Sequence, residues 1–220
     1  MSTPDFPLPR RYNSLRLLGF DYSSPLALYS TTLKTDLSRP VFGDLALAKR
    51  ALTVLLDDRT LARIRICAYT LLPDHLHMLA GLGESGKSLS TALGAFESLT
   101  TQLYWKRSRE IIETGIVIRP SKSVEKSQRD EARPLMRALM EGRVKLRPEA
   151  LELKNWPSVR PDHFLGNRLW QRSFNDHVIR NEADFRQTVE YIMLNPVRRG
   201  YVSKPEYYPF SGVTGPISEV

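Results

Sequence analysis

The sequence predicts an α+β fold built on a ferredoxin-like β-α-β-β-α-β core, and three observations support this. Short stretches alternate apolar and polar residues, as half-buried strands do. Two longer stretches repeat apolar residues every three or four positions, as amphipathic helices do. The two kinds follow one another as strand, helix, strand, strand, helix, strand, the order of a split βαβ unit with antiparallel strands.

Taken in order, Leu26–Thr35 reads as the first strand and Leu45–Leu56 as an amphipathic helix. Arg63–Leu72 and His75–Leu82 read as an antiparallel pair joined by a turn at Pro73-Asp74. Ser90–Arg107 is a second helical run with Ala95, Leu99 and Leu103 on one side. An apolar segment around Trp170 and Phe174 supplies the last core strand. A C-terminal helix follows, with Asn181 as N-cap and Glu182 and Asp184 in the first turn, where the helix dipole favours negative charge. Phe185, Val189, Ile192 and Met193 recur on one face of that helix.

Pro120–Arg160 departs from this pattern. It mixes ten basic residues, Lys122, Lys126, Arg129, Arg133, Arg137, Arg143, Lys145 and Arg147 among them, with acids and four prolines (Pro120, Pro134, Pro148, Pro157). The expectation is one domain over residues 1–220 carrying a basic insertion at 118–165, with a short helix at Pro134–Glu141. A DNA-touching segment and a solvated linker fit this composition equally well.

The residues that carry chemistry begin with His75-Leu76-His77. Period-two alternation sends both imidazoles to one face of a strand, where two of them side by side can hold a divalent cation. Far downstream, Tyr191 and Asn195 are four apart and so neighbours on a helix surface. A tyrosine is a potential nucleophile, and an amide oxygen is a potential ligand for a hard cation. Taken alone, Tyr191 fits an ordinary half-buried aromatic. Asn195 before Pro196 fits a helix-end residue equally well.

Composition narrows the partner. Thirty-two Lys and Arg face 24 Asp and Glu, a formal net charge of +8, and the sequence pI is near 9.7. That balance suits a polyanion. Basic residues mix with aromatics at Trp105-Lys-Arg, Arg168-Leu-Trp-Gln-Arg172 and Arg198-Arg-Gly-Tyr201, as single-stranded nucleic acid favours, although a tryptophan is more often a core residue. One cysteine, Cys67, excludes an internal disulfide. No leader-like or membrane-length apolar run is present, so a soluble, intracellular protein without membrane contact is expected.

Three blocks give the resemblance: Ala68-Tyr-Thr-Leu-Leu-Pro-Asp-His-Leu-His77, Leu169-Trp-Gln-Arg-Ser-Phe-Asn-Asp-His-Val-Ile-Arg180, and Tyr191-Ile-Met-Leu-Asn-Pro-Val-Arg-Arg-Gly-Tyr-Val202. Tyr208-Pro-Phe-Ser211 is a further echo. Together they resemble the HUH single-strand nucleases and, more closely, the REP-associated tyrosine transposases of bacteria. The resemblance spans residues 10–112 and 165–212, and the family's fold is the ferredoxin-like one. It implies a DNA strand transferase with Tyr191 as nucleophile, a 5′-phosphotyrosine intermediate, and Mg²⁺ or Mn²⁺ held by His75 and His77. By the same resemblance Asn195 stands near the metal, His177 flanks the active site, and Asp176 and Arg180 read as surface or scaffold. Arg168, Arg172, Arg198 and Arg199 would contact DNA. The implied partner is single-stranded DNA with palindromic hairpins, in a cytoplasmic, nucleoid setting, with homodimerisation left open. Two other readings compete: a binding protein with the same fold but no catalysis, and an unrelated metal-dependent hydrolase using His75, His77 and Asp74 or Asp176.

Overall fold

The computed structural model describes residues 22–114 and 153–214. Five strands, β1 (Leu28–Lys34), β2 (Ile64–Leu72), β3 (His75–Leu82), β4 (Asn175–Val178) and β5 (Ser211–Val213), form one sheet in the order β4-β1-β3-β2-β5. The helices are α1 (Leu45–Leu55), α2 (Asp58–Leu61), α3 (Leu89–Thr114) and α4 (Glu182–Arg198). Every neighbouring pair of strands is antiparallel. With β3 between β1 and β2, the first four strands, α1 and α3 make the expected ferredoxin-like core. The strand β5 extends it beyond β2 and was not foreseen.

Register decides which side chains share a layer. Thr32 pairs with His77 and Ser30 with both Leu79 and His177, so Leu28, Ser30 and Thr32 share one face with His75, His77 and Leu79. That face is covered by α4 through a small cluster of Leu28, Ala68, Leu79, Phe185 and Ile192. Tyr29, Leu33, Leu76, Met78 and Ala80 point the other way, into the main core with Leu47, Leu52, Leu93 and Phe96 of α1 and α3. Helices on both faces explain why β2 and β3 are buried at most positions on both faces. Burying one such Leu or Phe is worth about 1.5–3 kcal/mol.

The helices are tied at their ends. Asp44 caps α1 by accepting from the Ala46 N–H at 2.9 Å and pairs with Arg107 of α3 at 2.5 Å. Asn181 caps α4 as expected, accepting from the Asp184 N–H at 2.9 Å.

Three expectations need correction. The buried stripe of α3 is Ala92, Leu93, Phe96, Tyr104 and Ile111, whereas Leu99 is 44% exposed. Buried Thr100 and Ser108 interrupt the stripe and hid it. Thr100 donates to the Phe96 carbonyl and accepts from the Trp170 indole, and Ser108 donates to the Phe164 carbonyl. The last core strand is Asn175–Val178, just past the expected segment. Trp170 makes a single bridge to Thr35, and its ring packs inward on Phe42 and Phe96 instead of continuing a ladder. Lastly, the tail of the expected insertion is packed: Trp156 is buried and donates to the Gly43 carbonyl, and Phe164 stacks on Tyr104. The Pro134–Glu141 helix lies outside the described residues. Among the described residues no helix is long and apolar enough to cross a membrane.

Candidate active site

The site begins at the Pro73-Asp74 turn between β2 and β3. Its carbonyls are pinned by the N–H groups of Phe42 and Thr35, so β3 starts in a fixed place and His75 and His77 project toward α4. Their rings meet edge to face with centroids 4.7 Å apart. Each ring is oriented from behind. His75, 5% exposed, donates from Nδ1 to Asp74 Oδ1 at 2.6 Å. His77 Nδ1 is hydrogen-bonded to Thr32 Oγ1 across the sheet at 2.8 Å. With both Nδ1 atoms engaged, the two Nε2 atoms are the donors this pair offers a divalent cation.

Electrostatics favours the neutral, ligating form of His77. Burial first, then the positive charges of His75, Arg199 and Lys34, push its pKa down to about 3. For Asp74, burial acts upward, but the His75 hydrogen bond and the charges of His75 and Arg199 outweigh it and hold the carboxyl below its ordinary value.

On α4, Tyr191 lies against the same pair. Its ring meets His77 edge to face at 5.5 Å, and the Arg198 guanidinium sits 5.0 Å from its centroid, within cation–π range. It is 44% exposed. Other tyrosines differ: Tyr69 and Tyr104 are fully buried, and burial raises the pKa of Tyr69, Tyr104 and Tyr201. A buried hydroxyl reaches neither a DNA phosphate nor its ionised form easily.

Asn195 is 6% exposed, one turn past Tyr191. Asn195 stays helical and lies in the last turn of α4, which runs through Pro196 to Arg198. The helix ends just beyond, and Gly200, with a φ of +71°, is a left-handed residue suited to closing it. Arg199 still donates to the Asn195 carbonyl at 3.0 Å.

The remaining predicted residues lie elsewhere. His177 shares the sheet face of the His pair, but its Nε2 bonds both carboxylate oxygens of Asp184, at 2.9 and 3.0 Å. It therefore ties β4 to the first turn of α4, about two turns before Tyr191. Asp176 points into the opposite layer and accepts from the Tyr22 hydroxyl at 2.5 Å, so a His75/His77/Asp176 ligand set is not assembled. Among the described residues no group of three His, Cys, Asp or Glu could hold a metal. Arg168 and Arg172 stand beside α3 at the edge of β1, apart from Tyr191. Thr32 and the orienting role of Asp74 were missed. Asp74 adjoins His75 and was visible, whereas Thr32 faces His77 only through a register that no local pattern encodes.

Set beside known proteins, the chain matches no family model. A 43-residue segment is 46% identical to a REP-associated tyrosine transposase of Escherichia coli K12, covering 20% of this chain and 26% of that protein. A Haemophilus influenzae protein named for the same transposases is 42% identical over 43 residues, covering 20% of this chain and 24% of its own. The matched sequence thus spans about a quarter of these curated relatives. A solved structure described as a REP-associated tyrosine transposase bound to a REP hairpin aligns with 94% of this chain and 82% of its own, at 18% identity and a TM-score of 0.47. The chain resembles REP-associated tyrosine transposases.

Proposed function

We propose that this chain is a transposase-type enzyme that nicks and rejoins single-stranded DNA beside palindromic hairpins, using Tyr191 as nucleophile. The observation that carries the proposal is the contact chain His75–His77–Tyr191, with ring centroids 4.7 and 5.5 Å apart. It joins an imidazole pair, His77 of which is held neutral, to a half-exposed tyrosine from a distant helix. The names of the sequence relatives add support.

In this reading the Tyr191 oxygen attacks a DNA phosphorus, losing its proton to solvent or a nearby base. A tyrosyl O–P bond forms as the bond to the 3′ oxygen breaks, leaving a 5′-phosphotyrosine and a free 3′-hydroxyl. The bond energy is retained, so a second hydroxyl can displace the tyrosine and rejoin the strand. His75 and His77 would hold Mg²⁺ or Mn²⁺ through Nε2, and the Asn195 amide would be the further donor. Two or three protein ligands leave the open positions Mg²⁺ favours. When bound, that cation supplies positive charge at the non-bridging oxygens of the scissile phosphate. Asp74 and Thr32 fix the two rings. Arg198 steadies the Tyr191 ring and, with Arg199, brings positive charge to an approaching backbone. His177 supports the helix that presents Tyr191. Arg168 and Arg172 take phosphates away from the reacting bond. The working place is the bacterial nucleoid.

The test is a labelled hairpin oligonucleotide incubated with Mn²⁺ and run on a denaturing gel. Wild type gives a slow protein–DNA band that EDTA abolishes. Tyr191→Phe, His75→Ala and His77→Ala give none while still binding the hairpin, because phosphate and base contacts lie elsewhere. An adduct persisting in Tyr191→Phe, or full cleavage in EDTA, overturns the assignment. Binding with no adduct for any hairpin leaves a catalytically silent binding protein as the better reading.

A further inference from the structure

The sheet floor beneath the His pair is closed on one side and open on the other. On β2, the row that shares the face of His75 and His77 is Ala68, Thr70 and Leu72, and all three are buried. The helix α4 packs over β2 and β3. The matching row on β1 is not closed: Ser30 and Thr32 are half-buried and Lys34 is exposed. Beyond it, β4 adds half-buried Asn175 beside Thr32. A phosphate approaching the His pair therefore comes in over β1.

Lys34 is the cation on that open side. It is the register partner of His75 and lies on the same face, one strand spacing of about 5 Å away. Its backbone is fixed, since its carbonyl accepts from the Gln171 N–H. The next residue, Thr35, donates to the Asp74 carbonyl through both its N–H and its hydroxyl. Among the described residues the Lys34 ammonium has no ion-pair partner. Its charge nevertheless reaches the pair, for it helps to hold His77 neutral after burial, His75 and Arg199. The other cations stand elsewhere. Arg198 lies over the Tyr191 ring, and Arg168 and Arg172 stand beside α3.

Displacement at phosphorus sets the entering and leaving oxygens roughly in line, on opposite sides of the phosphorus. Tyr191 enters from α4, so the leaving oxygen faces the open β1 side. We propose that Lys34 is a further catalytic residue, whose ammonium donates a charged hydrogen bond to the 3′ oxygen as that oxygen leaves phosphorus. The inference rests on the proposed tyrosine transfer. In that step the bond from the Tyr191 oxygen to phosphorus forms and the bond from phosphorus to the 3′ oxygen breaks. The electron pair stays on the 3′ oxygen, which takes a proton from solvent, while Lys34 keeps its own. A fixed cation aimed at growing negative charge lowers the barrier without reorganising. An ammonium suits a single oxygen, being a compact point charge with three rotatable donors, whereas a guanidinium fork matches two oxygens at once. On rejoining, the same ammonium meets the attacking 3′-hydroxyl.

The experiment compares two hairpin oligonucleotides in single-turnover adduct formation with Mn²⁺. One is all-oxygen; in the other the bridging 3′ oxygen at the scissile phosphate is replaced by sulphur. A departing thiolate is far less basic than an alkoxide and needs little help. Lys34→Gln should slow the oxygen substrate by about 100-fold, as loss of one such donor does, yet stay within about threefold of wild type on the sulphur one. Lys34→Arg, which keeps the charge, should lie between wild type and Lys34→Gln on the oxygen substrate. Three controls bear on a merely structural role. The thermal midpoint, hairpin affinity in EDTA, and Mn²⁺ binding to the protein alone, read by electron paramagnetic resonance, should all hold in Lys34→Gln. An equal loss on both substrates overturns the proposal, and so does weakened Mn²⁺ binding that accounts for the loss. A wild-type adduct whose rate Lys34→Gln leaves unchanged removes Lys34 alone and leaves Tyr191 as nucleophile. No wild-type adduct with either substrate removes the tyrosine transfer and the role of Lys34 with it.

Discussion

His77 is kept neutral by its surroundings, and that makes the fold sensitive to acid. In the unfolded chain its imidazole titrates near its ordinary 6.5, whereas in the folded state the value is about 3. Between those values the unfolded chain binds more protons, so stability is complete above pH 6.5 and declines as pH falls toward 3. The slope reaches about 1.4 kcal/mol per pH unit. His77→Gln, compared with wild type by denaturant unfolding in EDTA, should therefore lose roughly 2 kcal/mol less between pH 7.5 and 5.0. His163 is also lowered, burial being the main cause, but it is present in both proteins and cancels. Asp74 acts in a lower window: its carboxyl is depressed, so its contribution fades only as pH falls through the acidic range. Equal losses in the two proteins would place the acid sensitivity elsewhere.

Among the strands, β5 is the one for which the sequence offered no expectation at all. Three residues are too few for a period to show. What fixes β5 is its approach: the Tyr208 hydroxyl donates to the Leu71 carbonyl at 2.7 Å, the Leu71 N–H donates to the Phe210 carbonyl, and Gly212 passes over the Tyr69 ring. A Cβ at Gly212 would stand 2.6 Å from the Tyr69 hydroxyl oxygen. Gly212→Ala should destabilise the protein by about 1–3 kcal/mol, the range for overpacking a core, seen as a lower thermal midpoint. No change would mean β5 shifts freely. The same logic separates what was legible elsewhere. β1, β2, β3, α1 and α4 were readable because each repeats its own pattern over at least seven residues, and α4 carried its cap at Asn181. The buried stripe of α3 was not, because Thr100 and Ser108 sit in it with partners only the tertiary fold supplies. Of the site, His75 and His77 followed from alternation, and Tyr191 and Asn195 from helical spacing. Thr32 meets His77 only through strands brought together over a long separation, which no window along the chain contains, while the His177–Asp184 clamp spans seven residues and rests on the turn between β4 and α4.

At the scale of the whole molecule, the charge balance and the two arginine groups make a prediction about DNA form. Arg198 and Arg199 lie near the His pair and Tyr191 on the α4 side of the sheet, while Arg168 and Arg172 stand beside α3 on the other, so a backbone held by all four would have to touch both sides. Each neutralised phosphate releases counterions, and affinity for an unpaired strand should fall with log[salt] at a slope of about −0.7 for each phosphate contacted. Arg168→Ala with Arg172→Ala should flatten that slope by about one to two units in a salt titration followed by anisotropy. A perfect duplex, whose target phosphate stays within a stacked helix, should be cleaved far more slowly than its separated strand. Equal cleavage of the two would count against the strand-specific reading.

The tight Pro73-Asp74 turn has a further consequence, for folding kinetics. The hairpin it closes is the most local pairing in the sheet, and such pairings form on a scale of about 1–10 μs because little loop entropy is lost. The two imidazoles are set by that hairpin, whereas β4 and the Tyr191 helix return to it only after a long excursion of the chain. Long-range contacts of that kind are the slow ones. During synthesis from the N-terminus, the imidazole pair should therefore take shape well before the tyrosine that faces it, and the site becomes whole only when the last helix docks.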